Sequence, residues 1–398
     1  MQQGCPLGPL MFALVLLNLT DKLRVNFPRL KANIWYLDDG SLKLNLKEIP
    51  EVVELIVQEG LPLGLHLNLK KCEIWSPVID RLDTSCLDRR IRVLGKVGCQ
   101  ILGSPIGNPE YIKKKVGELV DHVRRTLQLI SILNSAHHQF VLAKWTLNVS
   151  KIMHSIRTVP SIYITEELRQ FDNNWRIAFA RWIGRQLTDS QFAQMGLPLH
   201  TGGLGIQSAV AIGEAGFISS AVSSLQLQMQ MSLSDDYNPR PEVQIALDKL
   251  NNEYNSDFSL DQIVSQAKPQ SFLNQYITEE KVKAFESSIG GKQKVKFYST
   301  KMGGGVLFGA IPCKQFQTVL SNSQFITLAK LRLNMEVIRG GGKCECCGKL
   351  LDNLGLHCLP CTGKGWGMWN RLEAICNAMR RLAEIPAKSE KRGQRNGI

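Results

Sequence analysis

The chain has 398 residues, and 44% of them are hydrophobic, which excludes a protein that is disordered throughout. Its length exceeds that of one ordinary domain and predicts two or three. Lysine and arginine outnumber aspartate and glutamate by 48 to 35, so the net charge of +13 favours polyanionic partners, although many basic proteins bind no nucleic acid.

The first predicted element is a helix that begins near Pro6 and ends near Val25. Its apolar segment, residues 10–19, reads LMFALVLLNL and resembles the core of a signal peptide. No lysine or arginine precedes this segment, no small-residue cleavage site follows it, and it is shorter than the ~20 apolar residues of a membrane span. We therefore predict a helix buried on several sides, in an intracellular protein of the nucleus or cytoplasm that is neither secreted nor bound to a membrane.

Two strands are predicted next, at residues 33–37 and 41–45, joined by a tight Asp-Asp-Gly turn. Asp-Gly between apolar runs is typical of a hairpin. A helix over residues 48–60 follows, with apolar residues at helical spacing and glycines at its end. Four further short strands are predicted at residues 64–68, 72–76, 91–94 and 97–102.

After residue 107 the pattern becomes helical, with long amphipathic periodicity. The predicted helices cover residues 109–133, 137–157, 165–186 and 207–225, and residues 241–334 are predicted to be mostly helical. The predicted regions are a strand-and-helix unit at 1–107, a helical region at 108–225, a linker at 226–240, a second helical region at 241–342, a Cys/His module with a helix at 343–385 and a basic disordered tail at 386–398.

The predicted hairpin carries two adjacent carboxylates, Asp38 and Asp39. Nucleotidyl transfer uses two divalent metal ions about 4 Å apart, and hard cations such as Mg²⁺ prefer oxygen ligands. A hairpin tip suits such ligands because it can enter a cleft while its strands stay rigid. A surface turn whose aspartates only shape the bend is the alternative, and for an isolated Asp-Asp-Gly it is the commoner case.

Four segments in a fixed order decide between these alternatives. They are QQGCPLGPLMF at residues 2–12, YLDD at 36–39, GLHLN at 64–68 followed by KCE at 71–73, and LGSPIG at 102–107. The series resembles the reverse transcriptases of non-LTR retrotransposons, whose template-and-nucleotide segment reads QQG-x-PLGPLLF and whose metal hairpin reads YxDD. The resemblance covers most of the chain and is weakest over residues 226–330. It implies an RNA-directed DNA polymerase.

The resemblance implies a role for each matching residue. Asp38 and Asp39 would be the catalytic residues and would hold Mg²⁺. The residues implied to contact the template and the incoming nucleotide are Gln3, Gly4, Pro6, Tyr36 and Lys71. Leu102 and Gly103 would form the primer grip. The implied partners are an RNA template, a DNA primer and deoxynucleoside triphosphates. Taken alone, Lys71 is typical of a solvated strand and Tyr36 of an ordinary strand aromatic.

Two departures from the family's pattern alter the expected activity. Cys5 stands where the family usually has aspartate, at a position that is not a metal ligand in the family. The family's first catalytic aspartate lies upstream of the QQG segment, and here Met1 stands immediately before Gln2. With two of three carboxylates, we expect an incomplete two-metal site and impaired catalysis. The alternative is a non-enzymatic nucleic-acid-binding protein. Its basic surface would include Lys113, Lys114, Lys115, Arg124 and Arg125.

A cluster of cysteines near the C-terminus predicts a metal site. Five of the eleven cysteines lie within residues 344–361, which is typical of a reduced protein with a metal site rather than a disulfide framework. The spacing C-x2-C-x9-H-x3-C supplies three thiolates and one imidazole, a common ligand set for tetrahedral zinc. The predicted Zn²⁺ ligands are Cys344, Cys347, His357 and Cys361. Cys346 and Cys358 are alternative ligands, and a patch of unligated thiols is the alternative to a metal site.

The predicted fold class is therefore α+β. Residues 1–107 would form a partial right-hand polymerase palm that lacks the fingers and the first palm strand. A mainly α-helical thumb at 108–225 and a helical connection at 241–342 would follow. Similar Cys/His modules occur at the C-terminal end of some retroelement polymerases, and here the module would end the ordered chain.

Overall fold

The computed structural model describes residues 5–231, 241–301, 305–316, 318–337, 342–344, 347–354, 357 and 361. Within these residues helices predominate, and the strands form four separate two-stranded sheets. The predicted α+β class is thus confirmed. The predicted basic tail at 386–398, and the predicted Cys/His module beyond Cys361, lie outside the described residues.

Most of the strands lie in the first 107 residues. The elements there are α1 (Gly8–Asn26), β1 (Ala32–Tyr36), β2 (Asp39–Lys43), α2 (Ile49–Gly60), β3 (Glu73–Ile74), β4 (Arg92–Val93), β5 (Gly98–Ile101) and β6 (Ser104–Gly107). Strands β1–β2 and β5–β6 are antiparallel hairpins, and β3 pairs with β4 in parallel. The strand predicted at 64–68 is wrong. Gly64 has a φ of 73°, and the Leu65 N–H bonds back to the Gly60 carbonyl, so this backbone closes α2 instead of pairing with a strand.

The rest of the described chain is almost entirely helical. Its elements are α3 (Pro109–Ile130), α4 (Ala136–Leu147), α5 (Met153–Thr158), α6 (Ser161–Ile183), α7 (Asp189–Gly196), α8 (Ala209–Met231), α9 (Pro241–Tyr254), α10 (Leu260–Val264), α11 (Pro269–Ser288), α12 (Gly291–Lys301), α13 (Asn322–Arg332), β7 (Gly342–Lys343) and β8 (Leu350–Leu351). The helix predicted at 137–157 is divided, because Asn148 leaves the helical conformation and its side chain accepts a hydrogen bond from the Val149 N–H. Helix α8 extends into the predicted linker.

The chain divides into two compact units. The first comprises Met1–Glu118, His154–Ile164 and Glu214–Pro269, and the second comprises Leu119–Met153, Thr165–Gly213 and Gln270–Ile398. The acidic hairpin belongs to the first unit and the Cys/His cluster to the second.

Helix α1 buries one face in the core of the first unit. Leu16, Leu19 and Leu23 are buried there, with Trp35 and Leu42 of the hairpin β1–β2 packed against the same core. The side chains of Leu10, Leu14 and Leu17 are each more than half exposed. The prediction that this helix is buried on several sides is therefore wrong for the described chain, although a helix that is apolar all round is typical of such burial.

An aromatic cluster forms the core of the second unit. The ring of Phe140 in α4 lies 5.8 Å from Phe179 in α6, 6.1 Å from Phe308 and 5.5 Å from Phe325 in α13, measured between centroids. Edge-on and tilted aromatic pairs at these distances are favourable beyond the area they bury. They hold α4, α6 and α13 together.

Buried Asp172 in α6 caps the N-terminus of α8. Its Oδ1 accepts a hydrogen bond from the Ala209 N–H at 2.7 Å, and its Oδ2 accepts one from the Ser208 hydroxyl. Burial raises the pKa of Asp172, and these hydrogen bonds oppose that shift. The side chain satisfies an otherwise unpaired donor at the helix start, so its role is structural.

Helix α8 is the one described helix that is long and apolar enough to cross a membrane. Half of its most apolar window is buried inside the protein. Core helices of soluble proteins meet the same criterion. Helix α1, which contains the apolar residues 10–19, does not meet this criterion.

The stability of the second unit is expected to depend on the protonation of His137. This side chain is fully buried, and its Nδ1 accepts a hydrogen bond from the Leu320 N–H at 3.2 Å. Burial, together with the charge of neighbouring His138, lowers the pKa of His137 to about 4, and a contact with the Ala310 carbonyl opposes the shift. The unfolded chain, with a pKa near 6.5, binds a proton that the folded chain does not. Above pH 6.5 His137 is neutral in both states and does not reduce the free energy of unfolding. As the pH falls from 6.5 towards 4, the free energy of unfolding decreases.

We expect this linkage to remove about 3 kcal/mol from the free energy of unfolding between pH 7 and pH 4, at ~1.4 kcal/mol per pKa unit. Denaturant unfolding at a series of pH values measures it. The His137→Asn variant keeps a hydrogen-bond acceptor but has no group that titrates in this range. Between pH 7 and pH 4 its free energy of unfolding should therefore fall by about 3 kcal/mol less than that of the wild type. His122→Asn, at an exposed histidine of the same unit that does not influence the pKa of His137, serves as the control and should keep the wild-type slope. Equal slopes for all three proteins would contradict the assignment.

Candidate metal centres

The acidic hairpin has a tighter turn than the sequence predicts. Strand β1 pairs with β2 in a register that places Tyr36 opposite Asp39 and Trp35 opposite Gly40. The connecting turn is therefore Leu37–Asp38, not Asp-Asp-Gly, and Leu37 has a φ of 55°. Asp38 lies in the turn, and Asp39 is the first residue of β2. Both side chains are exposed.

Contacts on the core face fix the position of this hairpin. The Asn33 Nδ2 donates a hydrogen bond to the Thr20 carbonyl of α1 at 3.0 Å, and the Asn33 Oδ1 accepts one from the Trp35 Nε1 at 2.8 Å. The Trp35 ring covers Gly40 so closely that a Cβ on this glycine would lie 2.9 Å from ring carbons. Because side chains alternate along a strand, Tyr36 and Asp39 share the opposite, exposed face.

The two carboxylates have no hydrogen bond or ion pair with any described residue. Aspartates that shape turns elsewhere in this chain behave differently. The Asp83 Oδ1 accepts from the Ser85 N–H at 2.9 Å, and the Asp88 Oδ1 accepts from the Arg90 N–H at 2.8 Å. Such side chain-to-backbone bonds are the reason that aspartate favours turns. Asp38 and Asp39 make none, so their oxygens are available to a ligand.

No third ligand accompanies this pair in the described ranges. Within the described ranges, three or more metal-binding side chains come within reach of one another at the Cys/His cluster and not at the hairpin. Two exposed carboxylates offer an incomplete set for two Mg²⁺ ions, which take six ligands each in near-octahedral geometry. The hairpin therefore presents two potential ligands and needs further oxygens from elsewhere.

The other residues implied to contact nucleic acid are dispersed or lie outside the described ranges. Gln3 and Gly4 belong to the latter group, and Pro6 is exposed just before α1. Lys71 is exposed at the end of a 3₁₀ turn, Leu69–Lys71, just before the strand predicted at residues 72–76. Leu102 and Gly103 form the two-residue turn between β5 and β6, with φ angles of 49° and 80°. Among the described residues, no hydrogen bond or ion pair connects Lys71 or this turn to the acidic hairpin.

The predicted zinc ligands do come together. The ligand atoms of Cys344, Cys347, His357 and Cys361 all lie within 4.8 Å of one another. The Cys344 and Cys361 sulfurs are 3.6 Å apart, and the Cys347 Sγ is 3.0 Å from the His357 Nε2. Cys344 and Cys361 are buried, whereas Cys347 is exposed. Four donor atoms so close together can hold one metal ion, with the ligand chemistry of a tetrahedral site.

Local backbone geometry produces this arrangement. Strands β7 and β8 pair antiparallel, and between them the Gly348 N–H donates to the Cys344 carbonyl at 2.7 Å. Gly348 has a φ of 72°, which a residue with a side chain rarely adopts. This tight knuckle brings Cys347 back beside Cys344. The Asp352 Oδ2 accepts a hydrogen bond from the His357 N–H at 2.7 Å and so holds the backbone of the third ligand.

The cluster is attached to the segment that follows α13. The Val337 N–H donates to the Asn353 carbonyl at 2.8 Å. Glu336, which precedes Val337, forms an ion pair with Arg185 at 2.6 Å. These bonds anchor β8 to the helical part of the second unit. The alternative ligands, Cys346 and Cys358, lie outside the described residues.

No family model, curated protein or solved structure matches the chain. The likeness to reverse transcriptases thus rests on the four sequence segments alone, and a polymerase function stays a prediction. The Cys/His cluster, in contrast, is a geometric property of the described residues.

Sequence analysis did not single out Lys296 in α12, whose Nζ is buried and has no hydrogen-bond partner among the described residues. Burial lowers the pKa of this lysine, and the charge of Asp352, 56 positions away along the chain, opposes that shift. The lysine belongs to a run of alternating lysines, GKQKVK, which is typical of a solvated helix face. No signal in the sequence distinguishes Lys296 from its neighbours.

Proposed function

We propose that the chain is a reverse-transcriptase-type segment that binds an RNA template with its DNA primer and presents Asp38 and Asp39 to Mg²⁺. The observation that supports this proposal most is the pair of carboxylates at the hairpin turn, which have no hydrogen-bond partner among the described residues. The turn aspartates Asp83 and Asp88, in contrast, accept hydrogen bonds from backbone N–H groups two positions further along the chain. The order of the four family-like segments supports it.

In this function the residues of the hairpin β1–β2 would bind the metal, keep the strands in register and support the primer. Bound Mg²⁺ would lower the pKa of the primer 3′-hydroxyl and neutralise the leaving pyrophosphate. Asp38 and Asp39 would ligate the metal, and the Trp35–Gly40 contact would keep their strands in register. The exposed Tyr36 ring, beside Asp39, would support the primer end. A further carboxylate is needed for full activity, so we expect a low rate.

Primer extension on an RNA template with Mg²⁺ tests this role. We expect Asp38→Asn to reduce extension to background, because the metal loses one of two ligands. Asp83→Asn is the matched control, since Asp83 is an exposed turn aspartate whose carboxylate already has a partner, and it should extend like the wild type. The role of Asp38 is judged from the difference in extension between the three proteins, not from the absolute rate of the wild type. Equal background signals from all three proteins would exclude polymerase activity.

A nucleic-acid-binding role without catalysis is the second candidate, favoured by the lack of a third ligand beside Asp38 in the described ranges. The basic residues predicted for this surface are partly neutralised within the protein. In α3, Lys113, Lys115 and Arg124 each form an ion pair with an acidic residue three positions away. Filter binding of the same primer–template across a salt series measures this role. Salt-sensitive retention without extension would assign it, and no retention at any salt concentration would exclude both candidates.

For the Cys/His cluster we propose zinc. Three thiolates and an imidazole are soft or borderline ligands, which suit zinc better than Mg²⁺ or Ca²⁺. Four protein ligands leave no open position for substrate, so the ion would have a structural role.

A further inference from the structure

The three cysteines of the Cys/His cluster differ in their access to solvent. Cys344 and Cys361 are buried, whereas Cys347 is exposed. A small molecule dissolved in the surrounding water therefore reaches the Cys347 sulfur directly, and it reaches the other two sulfurs only after the cluster has opened.

Bound zinc would keep this exposed sulfur in its reactive form. A thiol that coordinates a metal ion is deprotonated outright, and the thiolate, not the thiol, is the form that reacts with oxidants. Cysteines that are sensitive to oxidation are typically accessible thiolates with a second cysteine beside them. Cys347 would meet the first of these conditions once the proposed ion is bound.

The geometry of the cluster meets the second condition. The sulfurs of Cys344, Cys347 and Cys361 all lie within 4.8 Å of one another, and those of Cys344 and Cys361 are 3.6 Å apart. A disulfide holds its two sulfurs about 2 Å apart, so a shift of at most about 3 Å would join Cys347 to either neighbour. The Gly348 N–H, which donates to the Cys344 carbonyl at 2.7 Å, already turns the chain back at this point.

We propose that Cys347 is an oxidation site for hydroperoxides, and that its oxidation releases the zinc ion from the Cys/His cluster. The inference rests on the proposed zinc site. It goes beyond that site by naming the ligand that a small oxidant attacks and the condition under which the ion leaves.

The reaction consumes one molecule of hydrogen peroxide for each disulfide formed. The Cys347 thiolate attacks a peroxide oxygen, so that an S–O bond forms, the O–O bond breaks, and the leaving hydroxide takes up a proton to become water. The thiolate of Cys344 or Cys361 then attacks the sulfur of this sulfenic acid, forms the S–S bond and releases hydroxide, which becomes a second water. The two thiolates lose two electrons and the peroxide gains them, while zinc stays Zn²⁺. One thiolate and one imidazole remain, too few for a four-coordinate site, so the ion leaves.

Titration of the zinc-loaded full chain with hydrogen peroxide tests the assignment. A chromophoric chelator that is too weak to remove zinc from the reduced protein reports the released ion. We expect about one zinc ion released per peroxide consumed, and renewed zinc binding after a dithiol reductant is added. A peptide map should show a disulfide that joins Cys347 to Cys344 or Cys361. At limiting peroxide, a cyclic 1,3-diketone that traps sulfenic acids should label Cys347.

The Cys347→His variant separates oxidation from metal binding. Two thiolates and two imidazoles are also a common zinc ligand set, and the exposed position leaves space for the larger ring. Under conditions in which the wild type loses half of its zinc to peroxide, this variant should keep nearly all of it. Cys86→Ser, which removes an exposed thiol outside the cluster, is the matched control and should release zinc like the wild type.

The failure of the zinc site and the failure of the oxidation site give different results. Wild-type protein that binds no Zn²⁺ would overturn the zinc site itself. Wild-type protein that binds zinc and keeps it in excess peroxide would overturn the oxidation site alone. A sulfenic acid trapped only at Cys344 or Cys361, or a disulfide that omits Cys347, would also overturn the role of Cys347. These results come from the wild type and do not depend on how well Cys347→His folds.

Discussion

Replacement of Arg332 by methionine is expected to lower the free energy of unfolding of the second unit by about 2–6 kcal/mol, from two unsatisfied acceptors at ~1–3 kcal/mol each. The guanidinium is buried and donates to three carbonyls, those of Leu199, Gly203 and Thr300. Methionine fills a similar volume but removes the guanidinium donors, so the Gly203 and Thr300 carbonyls lose their bonds while the Leu199 carbonyl keeps the Gly202 N–H as a donor at 3.3 Å. Burial lowers the pKa of Arg332 only to about 10, so the group is charged at neutral pH.

Denaturant unfolding of the full chain, followed by a probe in the second unit, measures this effect. Arg169→Met is the control, because Arg169 is exposed and its ion pair with Glu166 should contribute less than about 1 kcal/mol. Arg332→Lys separates charge from geometry: an ammonium donates from a single nitrogen and cannot span the carbonyls that three guanidinium nitrogens reach, so this variant should recover only part of the loss. A loss below 1 kcal/mol in Arg332→Met would contradict the assigned role.

Arg332 also shows where prediction from the sequence ends. Its acceptors are 133, 129 and 32 positions away, in a turn and in another helix. A pattern of local periodicity places the helix α13 but carries no information about which carbonyls its last residue meets. The sequence HTGGLG at residues 200–205 indicates a turn by its composition. It does not indicate the close approach at Gly203, where a Cβ would lie 1.9 Å from the Leu197 carbonyl oxygen.

The acidic hairpin was predicted correctly as two strands, and its turn was placed wrongly for a physical reason. Asp-Gly is typical of turns because glycine tolerates a positive φ. Here Gly40 lies within β2, because the Trp35 ring takes the space of a side chain. Leu37 takes the positive φ instead, which is rare for such a residue. Packing between the two strands thus determines the register. The order of residues along one strand does not reveal this contact.

The Cys/His cluster was predictable because its ligands are close in sequence. Short spacings leave the backbone few ways to separate the donor atoms, and Gly348 marks the turn. Burial of α1 was less predictable. Its pattern is apolar on all sides, and periodicity cannot say which of its faces meets a core within the chain.

Replacement of Cys361 by serine is expected to weaken zinc binding by roughly 10²–10³-fold, because four ligands share about 10–16 kcal/mol of binding free energy in structural zinc sites. Cys361 is buried beside Cys344, so its loss removes a ligand that solvent does not readily replace. Cys313→Ser is the matched control, a thiol of the same unit outside the cluster, and it should bind zinc like the wild type.

Removal of zinc by a chelator should have a parallel effect on stability. Because the metal binds the folded module, its removal should lower the unfolding temperature of the wild type and of Cys313→Ser. The same treatment should leave Cys361→Ser nearly unchanged, since that variant has little metal to lose. Differential scanning calorimetry with and without the chelator makes the comparison. If the chelator lowers the unfolding temperature of all three proteins equally, the metal does not bind at Cys361, and the four-ligand assignment is wrong.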